Sequence, residues 1–218
     1  MSAPESVFML GDDGLGVTLS SKSRRNALAR HLLESGQWRE VIPGAEGLSV
    51  QYDPATVAPD DAVKALENAL LAEAIPPAST SDVLVIPVCY AADYALDMAH
   101  VCALSGLSEG DIIVRHTRET HHVDMIGFTP GFAYLEGGDP ALDVPRLARP
   151  RVHLPAGSVG LAGGLCGLYA LPGPGGWPII GRTPMPLFDT AQEDPFRLQT
   201  GQSVRFEAIS EADFRAWS

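Results

Sequence analysis

The sequence predicts an α+β domain at the N-terminus followed by a mainly β domain. Three observations carry that prediction. Up to about residue 70, strand-like and helix-like patterns follow the order β-α-β-β-α, which suits helices packed on one face of an antiparallel sheet. A Pro/Ser-rich stretch, Ala74-Ile75-Pro76-Pro77-Ala78-Ser79-Thr80-Ser81, then reads as the linker. Finally, thirteen of the 22 glycines and ten of the 18 prolines fall between Met125 and Phe188. That is too much Gly and Pro for helices and too much apolar content for a disordered linker. It describes short strands joined by specified turns. The domains are accordingly placed at residues 1–78 and 82–218.

Taken in order, Val7 to Leu10 and Gly14 to Leu19 bracket a turn at Gly11-Asp12-Asp13-Gly14 and read as a hairpin. From Ser23 the period becomes helical, with Ala27, Leu28, His31 and Leu32 on one face, serines to cap the start and Gly36 to end it. Trp38 to Ile42 and Leu48 to Tyr52 read as strands around Pro43-Gly44. A second helix starts near Pro59, with Asp60 and Asp61 in its first turn and Val63, Leu66 and Leu70 inward. Val83 to Cys89 is a continuous apolar run containing Pro87, hence a strand with an interruption or at an edge. Ala92 to Leu104 reads as an amphipathic helix ending at Gly106, and Ser108 to Asp111 caps a short helix through Ile112, Ile113 and Val114. His121 to Ile126 leads as a strand into the Gly/Pro region. A strand ends at Leu187-Phe188-Asp189, and Gly201 to Phe206 forms a turn and a closing strand.

Composition excludes several function classes. The formal net charge of -12 disfavours nucleic acid, whose phosphates need a basic face, and also an anionic membrane surface. No apolar run approaches the roughly 20 residues of a spanning helix. MSAPESVFML lacks the basic and apolar regions of a signal peptide, so a cytoplasmic chain is expected. Cys89, Cys102 and Cys166 form neither a CxxC pattern nor a disulfide framework and are expected as reduced thiols.

The chemistry-bearing candidates are few. Ser158, in Pro155-Ala156-Gly157-Ser158-Val159-Gly160, is not in a GxSxG elbow and reads as a turn residue whose hydroxyl binds backbone or a ligand. The adjacent His121 and His122 point to opposite faces of a strand, and no HExxH is present, so no metal site is expected. His116 closes the short helix, where a cation would complement the C-terminal end. Arg182, in Gly181-Arg182-Thr183-Pro184, either grips a carboxylate or phosphate with its planar fork or ties down loop carbonyls. Arg146, Arg149 and Arg151 either line an anionic site or hold the Pro-rich link. The only lysines, Lys22 and Lys64, lie outside glycine loops, and there is no GxxxxGK[ST] signature. Phe128, Phe132, Tyr134, Tyr169 and Trp177 stand beside the Gly turns, where exposed aromatics mark a groove or an interface.

Four segments in register, GFTPGFAYL at 127–135, PRLARPR at 145–151, PAGSVG at 155–160 and GGWPIIGRTP at 175–184, closely resemble the 5-oxoprolinase B-subunit family. That family is also described as KipI-type kinase inhibitors and allophanate hydrolase subunit 1. The resemblance extends over nearly the whole chain, although Leu165-Cys166 replaces the Gln-Thr common in the family. It implies a cyclophilin-like β-barrel as the second domain. It also implies an ATP-dependent opening of 5-oxo-L-proline to L-glutamate. That reaction would be carried out with the 5-oxoprolinase A-subunit and a KipA-type C-subunit, with ATP bound partly or wholly by one of these partners. The alternatives it implies are inhibition of a sensor histidine kinase or a carboxyltransferase-like module. Arg182 and His116 are the expected catalytic residues. Phe128, Pro130, Gly131, Phe132, Tyr134, Pro155, Gly157, Ser158, Gly160, Gly175, Gly176 and Trp177 are expected to shape a groove for the small ring or for a partner protein.

Overall fold

The structure, a computed structural model, describes residues 6–71 and 83–217. The predicted linker, Ala74 to Ser81, lies outside them. The chain divides into two compact units, Met1–Ser79 and Thr80–Ser218.

In the first unit β1 (Val7–Leu10) and β2 (Gly14–Thr18) form the expected hairpin, followed by α1 (Lys22–Ser35), β3 (Glu40–Pro43), β4 (Gly47–Gln51) and α2 (Pro59–Leu71). The sheet is antiparallel throughout, in the order β1-β2-β4-β3. Ser21 caps α1 by accepting the Arg24 N–H, and Gly36 ends it in the left-handed region that a side chain disfavours. The buried face of α1 is Arg25, Leu28, Ala29 and Leu32; His31, expected inward, is exposed. Leu15, Val17, Leu48, Val50, Tyr52, Ala62 and Leu66 complete this core. Arg25 can be buried because its guanidinium donates to the carbonyls of Gly44 (2.7 Å) and Ala45 (3.3 Å), fixing the β3–β4 turn.

The second unit is built on a closed barrel. Its elements are β5 (Leu84–Cys89), α3 (Met98–Ser105), α4 (Glu109–Arg118), β6 (Thr120–Ile126), β7 (Ala133–Glu136), β8 (Arg151–Leu154), β9 (Ser158–Ala162), β10 (Leu165–Leu168), β11 (Gly173–Gly175), β12 (Ile179–Arg182), β13 (Ser203–Ile209) and α5 (Glu211–Ala216). Seven strands close in the order β10-β7-β6-β13-β5-β12-β9, while β8 and β11 pair as a separate ribbon. The chain is therefore mixed α/β, and the barrel that the resemblance implies is present as a closed seven-stranded one. Ile86, Val88, Val123, Leu135, Val159, Leu168, Ile180, Val204 and Phe206 fill it, with Met98, Val101 and Ile112 from the helices in the same core.

Four expectations change. The strand carrying Pro87 is not an edge: β5 runs parallel to β13 from Leu84 to Cys89 and meets β12 at Arg182↔Cys89. The missing proline N–H is tolerated where pairing with one neighbour is reduced to a single position. The helix expected from Ala92 starts only at Met98, because Asp97, at its N-cap, does not cap it. Its carboxylate instead takes Arg151 and the Ile179 N–H. No strand forms at Leu187–Asp189; Phe188 makes one isolated bridge to Phe196. A C-terminal helix, α5, is present although hydrophobic periodicity did not announce it; Ser210 and Asp213 form its capping box.

Candidate functional site: an aromatic cavity beside the barrel

The Gly127–Phe132 loop is a closed turn. Gly127 N–H donates to Phe132 O (3.0 Å), Thr129 N–H to Gly127 O (2.9 Å) and Phe132 N–H to Thr129 O (3.0 Å). This folding forces Phe128 to φ 70°, and among the described residues it is the only non-glycine at positive φ. Such strain persists where the surroundings over-determine it, and it clusters at ligand sites. Phe128 is 64% exposed, whereas Phe132 behind it is buried.

On the neighbouring strands Gly160 and Gly167 stand opposite each other. A Cβ on Gly160 would lie 3.0 Å from the Trp177 Cβ, and one on Gly167 would lie 2.9 Å from the indole ring and 3.0 Å from Phe132. The glycine pair thus makes a bare floor against which Trp177 packs. The rings meet edge to face: Phe132 with Tyr134 (4.7 Å), Tyr169 (4.8 Å), Phe128 (5.6 Å) and Trp177 (6.1 Å), and Tyr134 with Trp177 (5.8 Å). Leu147 N–H donates to Gly176 O (2.8 Å), which pins the Pro/Arg-rich link across this cluster. Arg146 lies with its guanidinium 5.8 Å from the Trp177 ring centre.

Together these groups enclose a cavity of about 330 Å³ lined by Phe128, Phe132, Tyr134, Arg146, Leu147, Pro150, Tyr169, Pro174, Gly175, Gly176 and Trp177. Burial raises the Tyr134 phenol, and Arg146 pulls it partly back. Burial likewise raises Tyr169, against the pull of the Trp177 backbone N–H and Arg146. Both phenols stay protonated near neutral pH. The cavity therefore offers flat apolar walls, neutral hydroxyl groups and one guanidinium.

Of the groove residues expected from sequence, Phe128, Phe132, Tyr134, Gly175, Gly176 and Trp177 line this cavity. Pro130, Gly131, Pro155, Gly157, Ser158 and Gly160 do not. Gly160 supports Trp177 from below. Gly157 sits at φ 81°, and a Cβ there would lie 2.1 Å from the Thr183 carbonyl oxygen. Ser158 is buried and donates to Pro155 O (2.7 Å), the turn role expected of it. The expectation of a largely exposed aromatic surface is corrected: Phe132, Tyr169 and Trp177 are buried against one another, and Phe128 is the one of the five that projects. Tyr169, one of the five aromatics expected beside the Gly turns, also lines the cavity; Leu147, Pro150 and Pro174 are the lining residues whose place there only the fold reveals.

The two residues expected to be catalytic are elsewhere. Arg182 donates from Nε to Ala156 O (2.7 Å), and its guanidinium lies 5.7 Å from the Phe214 ring centre. It ties down a loop carbonyl, one of the two roles open from sequence. His116 is fully buried, so it is not a cation at a helix end: burial, with His121 beside it, holds its pKa well below the usual value. Its Nδ1 shares a 2.7 Å hydrogen bond with the Tyr90 hydroxyl, its Nε2 lies 3.4 Å from Cys166 Sγ, and its ring stacks on Phe206 at 4.2 Å. Burial pushes the Cys166 thiol up, so this pair is a neutral core contact and not an activated thiolate. Among the described residues no group of three or more His, Cys, Asp or Glu is arranged to hold a metal ion.

Residues 6–198 match the family model for the carboxyltransferase domain, subdomain C and D. A protein of Escherichia coli O157:H7 named as the B-subunit of 5-oxoprolinase is 40% identical over 192 residues, covering 87% of each chain. The chain belongs to the 5-oxoprolinase B-subunit family. A second member, from Bacillus subtilis (strain 168) and bearing the same name, is 37% identical over 188 residues, 82% of this chain and 78% of the relative. Among solved structures, a conserved uncharacterized protein of Pyrococcus horikoshii is 33% identical, with a TM-score of 0.60 over 96% of this chain and 100% of that one. The protein TTHA0988 is 31% identical, with a TM-score of 0.78 over 94% of this chain and 40% of that one. The urea amidolyase of K. lactis, at 16% identity and a TM-score of 0.75 over 97% of this chain and 15% of that one, shares the fold. Among the described residues no helix is long and apolar enough to cross a membrane.

Proposed function

We propose that this chain is the B-subunit of an ATP-dependent 5-oxoprolinase. In this reading it is a non-autonomous cytoplasmic component that works with the A-subunit and a KipA-type C-subunit, and its barrel is of the cyclophilin-like kind. The observation that carries the reading is the aromatic cavity with its single guanidinium, in a chain whose relatives are named for 5-oxoproline chemistry. The substrate is a small flat ring with a carboxylate, and the cavity offers flat walls and one cation.

The reaction converts 5-oxo-L-proline, ATP and two waters to L-glutamate, ADP and phosphate. A five-membered lactam is a poor electrophile because its nitrogen lone pair is delocalised into the carbonyl. Transfer of a phosphoryl group to the amide oxygen would make the carbon attackable by water. The lining of this cavity does not fit a triphosphate: it has one cation and no lysine. ATP is therefore assigned to a site outside the cavity, partly or wholly on the partner proteins, and the role of this chain is to hold and orient the lactam.

The test is reconstitution. This chain and its two partners are purified together, and 5-oxoproline-dependent ADP and glutamate are measured with each component omitted in turn. Products only in the full mixture support the reading. A stable complex without turnover overturns it, and a sensor kinase autophosphorylation assay then tests the regulatory alternative.

A further inference from the structure

Arg146 is the only charged residue among those lining the cavity. Several other arginines of the barrel unit are committed to acids: Arg151 to Asp97, and Arg115 and Arg118 to Asp139. Arg146 has no carboxylate within ion-pair distance among the described residues, and its guanidinium lies against the Trp177 ring. A guanidinium held on an aromatic face keeps its N–H edge available for a two-pronged bond to an anion. The backbone beside it is fixed by the Leu147 N–H bond to Gly176 O. The lining contains no aspartate or glutamate, so a ligand ammonium group would find no carboxylate there and would share the cavity with a guanidinium of like charge.

Resting on the proposed function above, we propose that this chain binds by itself a small cyclic amide bearing one carboxylate, the 5-oxoproline class, with Arg146 gripping the carboxylate and Tyr134 donating its hydroxyl proton to the lactam carbonyl. The ring lies between the Phe128 and Trp177 walls. The same lining selects against amino acids. L-Proline and the product L-glutamate carry the carboxylate but also an ammonium, for which the cavity has no carboxylate and which the Arg146 guanidinium repels. The site therefore distinguishes substrate from product by charge, and opening of the lactam itself weakens binding.

The experiment is calorimetric titration of the isolated full-length chain with 5-oxo-L-proline, 2-pyrrolidinone, L-proline and L-glutamate, for the wild type, Arg146→Ala and Arg146→Lys. Saturable binding of 5-oxo-L-proline is expected, with each of the other three weaker by roughly tenfold or more, as for loss of a charge-assisted contact or burial of an unpaired charge. Arg146→Ala lowers 5-oxo-L-proline affinity to that of 2-pyrrolidinone and leaves 2-pyrrolidinone unchanged. Arg146→Lys restores part of the loss, and neither variant shifts the thermal midpoint. Absence of saturable binding to the isolated chain overturns the proposal, as does equal affinity in the Ala variant or equal affinity for proline. If the reconstituted complex turns over 5-oxoproline while any of these holds, the inference fails and the proposed function stands. If the complex is inactive, the proposed function itself fails.

Discussion

The Asp97 carboxylate holds Arg151 by two parallel bonds of 2.7 Å each, and the same carboxylate accepts the Ile179 N–H at 2.7 Å. This pair joins the start of α3 to the β8–β11 ribbon and to β12, and so braces the back of the aromatic cavity. Asp97 is 7% exposed, while the Arg151 side chain is 32% exposed. Asp97→Ala strands both a guanidinium and a buried N–H, and we expect it to cost about 3 kcal/mol, the lower end for a broken buried pair because Arg151 reaches solvent. Urea denaturation of the variant measures this directly; a loss below about 1 kcal/mol would contradict it.

Acid should unfold this protein earlier than its carboxylates alone would require. His116 and His121 are buried and neutral: burial lowers His116 well below the usual imidazole value and His121 to about 4. The unfolded chain binds these protons more readily, so stability is fully present above about pH 6.5 and falls as the pH drops toward 4. The slope is about 1.4 kcal/mol per pH unit for each imidazole. Urea midpoints between pH 7.5 and pH 5 check this, with His121→Gln expected to flatten the profile. An unchanged slope in that variant would remove His121 as a cause.

Two glycines expected in one groove should behave oppositely. Gly157→Ala puts a Cβ on the Thr183 carbonyl at φ 81° and is expected to cost about 2 kcal/mol or more. Gly176→Ala meets Pro150 at 3.5 Å, an ordinary contact, and is expected to stay within about 0.5 kcal/mol of wild type while narrowing the cavity. Thermal midpoints of the two variants, compared with 5-oxoproline binding, separate a fold position from a lining position.

Thiol labelling should find one accessible cysteine. Cys89 and Cys166 are buried, and burial further raises Cys166; Cys102 is partly exposed. An aromatic disulfide reagent is expected to react promptly with Cys102 and with the other two only after denaturation. Cys166→Ser should retain activity in the complex, and loss of turnover without loss of stability would return Cys166 to the chemistry.

Local signals carried much of the architecture into the sequence. The Ser21 and Gly36 caps, the Ser108–Asp111 capping box and the acidic first turn of α2 lie where the sequence places them. What stayed hidden depends on distant partners. Asp97 reads as a helix residue until Arg151, fifty-four positions away, takes its carboxylate. The burial of Arg25 likewise depends on a carbonyl that the β3–β4 turn offers from nineteen positions away. The aromatic half of the cavity was legible because glycines cluster beside it. Arg146 was one of three arginines that spacing could not rank; stacking on Trp177 singles it out. Arg182 attracted a catalytic expectation by its planar fork and His116 through the resemblance; in the fold Arg182 bonds the Ala156 carbonyl and the buried His116 bonds the Tyr90 hydroxyl.

The central claim is that the cavity of this chain is where the 5-oxoprolinase complex holds its lactam. The most direct measurement is the initial rate of glutamate formation by the reconstituted complex across a range of 5-oxo-L-proline, with this chain as wild type and as Tyr134→Phe. Tyr134 is half-buried, so the variant keeps the ring and the fold and loses the hydroxyl. We predict a fall in kcat/KM of roughly tenfold, the worth of one hydrogen bond to a bound carbonyl, with an unchanged thermal midpoint. An unchanged kcat/KM, together with normal activity for Phe128→Ala, would contradict the account and place the lactam on a partner protein.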